Sequence, residues 1–296
     1  MANSNETYDT EAFKAKIYHA ELPDDIGAIL RLLEDYSGIL PQDVNAHIHA
    51  IDASPEARQN VGRQALQLHR PLPLPDPRLR PEPALPIRPV APAGPGSTAT
   101  FLDMACCVGQ VLRHLAWSGV DPSRLYGADL ERPFIEAGYD LFRDRDAAFG
   151  KGATLVVGDA LAEGEGGVDG DPALEVLDGK ISIVHASAFF HLFTWRDQVV
   201  AAKRVVRFFR EKDEGGEAIV FGRQVASTSP REITGPRGER RFLHDAATWQ
   251  RLWDEVGEAT GTRWRTEVEM ADEGQGETGA LADASKKRMN FACFKV

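Results

Sequence analysis

The stretch 100-TFLDMACCVGQ-110 decides the fold. An apolar run that ends in an acid and continues in small residues predicts a buried strand turning sharply into a helix. Asp103, Ala105, Cys107 and Gly109 fall where nucleotide-binding turns carry an acid followed by three small residues. Such turns need small side chains because backbone N–H groups must come close to a ligand. Only Gly109 is a true glycine, so from this stretch alone an ordinary strand–helix turn accounts for the residues as well.

The segments that follow favour the nucleotide reading. A second short apolar strand, 125-LYGADL-130, is closed by Asp129 about 20 residues beyond Gly109. An acid at the tip of a second strand can accept hydrogen bonds from both ribose hydroxyls of a nucleoside. A third strand, 153-ATLVV-157, ends in Gly158, Asp159 and Ala160, and a fourth, 180-KISIVH-185, runs through Ala186 and Ser187 to His191. A fifth, 217-EAIVF-221, ends at Gly222, Arg223 and Gln224. Helices are expected over 110–118, 132–142, 195–210 and 248–260. Two alternating segments, 264–270 and 290–296, suit an antiparallel hairpin at a sheet edge, with 272–287 as a loop. The fold class is therefore α/β, a doubly wound sheet whose strand tips share one ligand crevice.

Composition narrows the function. The chain has 296 residues, 43% of them hydrophobic, and a net charge of −11. So acidic a protein offers a polyanion no electrostatic footprint, and nucleic acid is not an expected partner. Three cysteines, two adjacent at Cys106 and Cys107, make no disulfide framework, and Cys107 reads as a small buried residue before a nucleophile. No apolar run reaches membrane-spanning length and the polar start lacks a signal-peptide core, so a soluble cytoplasmic protein is expected. No paired His/Cys spacing suggests a metal.

Residues 1–70 read as a helical arm, with Ile26, Ile29, Leu30 and Leu33 on one stripe of 24-DDIGAILRLLEDY-36 and a further helix over 55–69. Such an arm serves as a lid over the crevice or as a dimerisation element, leaving monomer and homodimer both open. The segment 71–99 carries proline at nearly every second or third place and reads as an extended linker. The segment 163–170 reads as a Gly/Glu/Asp loop. The remainder, 100–296, is the ligand-binding domain.

The phrases LDMACCVGQ, LYGADLERPFIEAGYDLFRDRD, HASAFFHLFTWRDQVVAAKRVV, VFGRQVAS and RFLHDAATWQRLWDEVGEATGT resemble a fungal group of class I S-adenosylmethionine-dependent methyltransferases. The resemblance is dense over 100–270, looser in the arm, and absent from 60–99. It implies a seven-stranded Rossmann-like sheet with an antiparallel last strand, S-adenosyl-L-methionine as cofactor, and a small polyketide or meroterpenoid acceptor. It also implies residue roles. Asp103 with Ala105, Cys106, Cys107, Gly109 and Gln110 would hold the methionine end. Asp129 would bind the ribose, Leu130 would pack near the adenine, and Asp159 with Ala160 would face the adenine amino group. His185, Ala186 and Ser187 would border the sulfonium.

For the acceptor the residues themselves give candidates. His191, six residues past the fourth strand, could act as base for a phenol or donate to a carboxylate, or cap the following helix. A carboxylate acceptor needs no base at neutral pH, whereas a phenol is helped by one. Arg223 and Gln224 are expected to face the same mouth, where a guanidinium could grip an acidic acceptor or pair with Asp245. Phe190 and Trp195 could line an apolar pocket or the core, and His244 precedes a helix capped by Asp245. Asp159 alternatively caps a helix. A non-methylating binder of the same cofactor, a protein or peptide methyltransferase, and a dehydrogenase stay open as other classes.

Overall fold

Short apolar runs build the centre of the sheet: β1 (Phe101–Met104), β2 (Leu125–Asp129), β3 (Thr154–Val157), β4 (Ile183–His185) and β5 (Ile219–Ser227). All four residues of β1 are buried, as expected of a parallel strand covered on both faces. The computed structural model describes residues 27–52, 98–162, 172–211, 218–235, 238–272 and 284–296. The helix expected over 55–69, the proline-rich segment up to residue 97 and the loop at 163–170 lie outside these residues.

Strands β1 to β5 run parallel. Two further strands, β8 (Trp264–Asp272) and β9 (Lys286–Lys295), form an antiparallel pair, and β9 joins β5 antiparallel. The seven-stranded order is β3-β2-β1-β4-β5-β9-β8, the doubly wound class I methyltransferase arrangement. The direction of winding reverses between β1 and β4. At that switch point the loops after neighbouring strands diverge and leave a crevice at the carboxyl ends.

Amphipathic helices close both faces. On one side α3 (Gln110–Trp117), α4 (Arg132–Phe142) and the short α5 (Ala148–Gly152) bring Leu112, Ile135 and Phe149 onto Phe101, Leu125 and Ile183. On the other, α6 (Trp195–Phe208) and α7 (Ala246–Thr260) bring Val205, Phe208, Trp249 and Trp253 onto Val184, Val220 and Phe291. The described part of the arm comprises α1 (Gly27–Arg31), a π-helical turn Leu32–Tyr36, and α2 (Pro41–Asp52). Its Leu32, Leu33, Ile39 and Val44 pack on Phe134, Ala137 and Phe142 of α4 and on Val108 of the turn after β1.

Several boundaries differ from the sequence expectation, each for a tertiary reason. β5 was expected to end near Phe221 but runs on to Ser227, because β9 pairs with it along its whole length. β4 is shorter than its apolar run; Ile181 instead forms an isolated bridge with Phe209. The hairpin of β6 (Arg231–Thr234) and β7 (Arg240–Leu243) is charged along much of its length, and its few apolar residues, Ile233, Phe242 and Leu243, make too short a pattern to predict it. Asp245 caps α7 as expected: it accepts from Thr248 N at 2.8 Å while the Thr248 hydroxyl accepts from Asp245 N at 3.0 Å. This reciprocal box satisfies donors that a helix start otherwise leaves open. Asp245→Ala is expected to cost about 1 kcal/mol of stability in urea denaturation.

Candidate active site

The turn after β1 has an unusual backbone. Ala105, Cys107 and Gly109 all take positive φ, at 54°, 52° and 65°. These are the three positions at which the sequence shows small residues, and the chain follows a three-glycine path with one glycine. A side chain in the left-handed region costs roughly 1–2 kcal/mol per residue, so the surroundings must hold Ala105 and Cys107 there. Three hydrogen bonds do so: Cys106 N to Ala128 O at 3.0 Å, Gly109 N to Cys106 O at 2.7 Å, and Cys107 N to Asp129 Oδ2 at 2.8 Å. Gly109 is glycine for a second reason, since a Cβ there would lie 2.6 Å from Nη1 of Arg113. Burial pushes the Cys107 thiol up to about 12, so it is a neutral filler.

Asp129 closes β2 beneath that turn. Its Oδ2 takes the Cys107 N–H and its Oδ1 the N–H of Glu131, at 2.8 and 2.9 Å. Each oxygen keeps one further lone pair. Desolvation raises the carboxyl's pKa, and the two backbone N–H groups oppose that rise. Leu130, next in the chain, is 60% exposed, an apolar side chain standing in water beside the acid. Asp159 and Ala160 follow β3, and Asp159 Oδ1 accepts from Leu161 N at 2.8 Å. That bond makes a local turn, and among the described residues no helix begins within the three positions after Asp159.

At the switch point, Asp103 Oδ1 lies 2.7 Å from His185 Nδ1, and His185 Nε2 lies 2.8 Å from the Ser187 hydroxyl. Ser187 Oγ also accepts from Arg223 N at 3.1 Å. The His185 ring is stacked with Phe101 and tilted against Phe221. Asp103, His185 and Ser187 thus form one hydrogen-bonded chain across β1, β4 and β5. Gly222 admits the loop after β4, because a Cβ there would stand 2.6 Å from Ala186 O. The sequence placed these residues together but gave no sign of the bonds between them.

The expected acceptor residues divide. His191 sits on the turn Phe190–Leu192, which packs against both β5 and β7. Burial lowers its pKa to about 3, with a smaller push from the charge of Arg241. Among the described residues its Nδ1 has no hydrogen-bond partner, and neither has either amide atom of Gln224, Nε of Arg241 or Oε1 of Gln110. Arg223 and Gln224 do not face one mouth, as the sequence reading held. They are successive residues of a strand, so their side chains take opposite faces, and Gln224 is buried while Arg223 is partly exposed. Phe190 is fully buried among Trp249, Trp253 and Phe291, which makes it a core ring instead of a pocket wall. Trp195 packs on Phe242 and His244, and its indole N–H donates to Glu255. His244 is buried in that box with Nε2 3.0 Å from Gln198 Oε1, which gives it a framework role. Arg241 and Arg113 were not anticipated; an arginine beside an apolar stripe, as in 111-VLR-113, was the only hint.

No protein-family model matches the chain. O-methyltransferase phiE of a fungal species (strain ATCC 74256) is 41% identical over 170 residues, 57% of this chain and 53% of that protein. Methyltransferase ausD of Penicillium brasilianum is 36% identical over 177 residues, covering 58% and 59%. O-methyltransferase atr3 of the fungus Stereocaulon alpinum is 31% identical over 287 residues, 94% of this chain and 75% of that protein. This chain belongs to the fungal methyltransferases of secondary-metabolite pathways. The chain spans little more than half the length of phiE and ausD. Among solved structures, a Burkholderia thailandensis 1,6-didemethyltoxoflavin-N1-methyltransferase superposes over 94% of this chain and 93% of that one, at a TM-score of 0.46 and 11% identity, too loosely to align site residues.

The site fits S-adenosyl-L-methionine. The remaining lone pairs of Asp129 match two vicinal ribose hydroxyls, Leu130 offers an apolar surface beside them, and Asp103 supplies negative charge for an ammonium or sulfonium. Among the described residues no cluster of metal-ligating side chains occurs, and no helix is long and apolar enough to cross a membrane.

The buried histidine makes a pH prediction. His191 has a folded pKa of about 3 against 6.5 ordinarily, so between those values the unfolded chain binds a proton that the folded one does not. Its contribution to stability is full above pH 6.5 and falls as pH drops through that window towards 3. Subtracting the denaturation free energy of His191→Gln from that of the wild type should therefore give a difference that shrinks on acidification. Its ring nitrogens should also stay in neutral-imidazole NMR positions at pH 5.

Proposed function

We propose that this protein transfers the methyl group of S-adenosyl-L-methionine to an oxygen of a small natural-product acceptor, a carboxylate before a phenol. The observation that carries the reading is the switch-point crevice itself. There Asp129, with a lone pair free on each oxygen, stands under a left-handed turn of the kind that brings main-chain N–H groups onto a nucleoside.

When bound, the cofactor supplies a methyl group already activated by a sulfonium. The chain's work is then alignment and exclusion of water. Asp129 would fix the ribose through its two unused lone pairs, with Leu130, Asp159 and Ala160 around the base. The turn from Ala105 to Gln110 and Asp103 would hold the amino-acid end. His185 is bonded on both sides, to Asp103 and Ser187, so it orients those groups and has no free nitrogen for the acceptor. On the acceptor side, Gln224, His191 and Arg241 offer buried polar atoms without partners. A buried polar group left unpaired costs about 1–3 kcal/mol, a cost that an acceptor's oxygens would relieve.

The lowered pKa of His191 favours a carboxylate over a phenol. An imidazole with a pKa of about 3 is a weak base at neutral pH, though it still makes hydrogen bonds. A carboxylate arrives ionised and asks only to be held, and Arg241 supplies a guanidinium near His191 to hold it. The O-methyltransferase names of phiE and atr3 support oxygen as the methylated atom.

The test is a panel of prenylated aromatic acids, matching phenols and basic peptides, each incubated with isotopically methyl-labelled S-adenosylmethionine. Labelled methyl ester from the acids is expected. Label on peptides alone, or on none of the panel despite measured cofactor binding, would sink the proposal. Asp129→Ala should weaken S-adenosylhomocysteine binding about 10- to 100-fold in calorimetry, as befits the loss of hydrogen bonds to a charged group.

A further inference from the structure

We propose that Arg113 is a positioning residue for the cofactor turn, and that Tyr36 extends its hold to the N-terminal arm. The inference rests on the cofactor reading above. Arg113 lies on α3 and is fully buried. Its Nη1 donates to the carbonyl of Val108 at 2.8 Å and to that of Gly109 at 3.4 Å. Its Nε and Nη2 grip both oxygens of Asp144, at 2.8 and 3.0 Å. The Tyr36 hydroxyl then donates to Asp144 Oδ2 at 2.8 Å. The guanidinium is also boxed by the rings of Phe142 and Phe149, at 4.7 and 4.5 Å.

A core that needed only volume here would be served as well by apolar side chains, since burying an ion pair returns little net stability. What the guanidinium adds is two donors aimed at the back of the turn. In a trans peptide the N–H points opposite to the C=O, so fixing the Val108 carbonyl on Arg113 turns the N–H of Gly109 the other way, onto the Cys106 carbonyl at 2.7 Å. The Gly109 carbonyl also takes the main-chain N–H of Arg113 at 3.1 Å. The clamp thereby sets the peptide plane on which the turn closes, just before the start of α3.

The turn needs such a clamp because two of its three left-handed residues are not glycine. Asp129 secures the Cys107 N–H from the crevice side, and Arg113 secures the Val108 carbonyl, and more weakly that of Gly109, from behind. The site at which glycine is kept is also the one where Arg113 leaves no room for a Cβ. Tyr36 closes the network from a segment that belongs to no strand of the sheet. Burial, followed by the bond to Asp144, raises its pKa, so the hydroxyl stays a donor across the working range.

The experiment is calorimetric titration of S-adenosylhomocysteine into the full chain, with melting temperature measured alongside. Tyr36→Phe should weaken the dissociation constant about threefold, and Arg113→Met about tenfold or more, at temperatures where each variant is folded. Adding Cys107→Gly to Arg113→Met removes one strained side chain and should recover part of the lost affinity. A merely structural ion pair would lower the melting temperature, leave the dissociation constant of the folded variants at the wild-type value, and show no recovery with glycine; that result overturns the proposal. Should Arg113→Met fail to fold, Tyr36→Phe and Arg113→Lys decide it by the same criterion. A wild-type chain that gives no binding heat would instead refute the cofactor reading on which the proposal stands.

Discussion

The hydrogen bond from the backbone N–H of Cys107 to the carboxylate of Asp129 joins the ends of β1 and β2. One residue thereby does two things: it holds the turn in a strained conformation and positions its own oxygens for a ligand. The strands bring the two ends together because β1 and β2 pair in parallel register, with Asp103 opposite Gly127. Everything on the donor side of the crevice is referenced to that contact. Leu130 follows from it in sequence, and the Glu131 N–H takes the carboxylate's other oxygen at the start of α4.

The two sides of the crevice are built on different principles. Around the turn most polar groups are satisfied by main chain or by one another, although Gln110 Oε1 has no partner among the described residues, and the acids Asp103 and Asp129 dominate. Around His191 the groups come from β5, β7 and a single helical turn, the nearby charge is that of Arg241, and several buried polar atoms lack partners. Satisfied networks specify one geometry, whereas unsatisfied ones await a ligand.

Much of this could be read from the chain. The order of the parallel strands, the acids at the ends of β1 and β2, and the cap at Asp245 were legible because each depends on local pattern: apolar runs, small residues at alternate places, an acid before a helix. The length of β5, the β6–β7 hairpin and the opposite facing of Arg223 and Gln224 were not. The extent of β5, and with it the facing of Arg223 and Gln224, is decided by β9, a distant segment whose pairing carries β5 past Phe221, while the hairpin forms a separate two-stranded sheet. Arg113, Asp144 and Tyr36 were equally silent, since nothing local tells an arginine on a solvated face from one whose partner lies 31 residues away. Phe190 shows the converse limit: adjacency to a site in sequence does not tell a wall from a core ring.

The loop after β4 lies along the free edge of β5. Ala186 N donates to Phe221 O at 2.8 Å and Ala188 N to Arg223 O at 2.7 Å, while β9 takes the opposite edge. Main chain is thus bonded to main chain on both flanks of the strand that carries Gln224, and Gly222 is kept because the loop lies too close for anything larger. Side chains projecting from such a frame contribute nothing to its hydrogen bonding. Those side chains can therefore be exchanged without unmaking the scaffold beneath them.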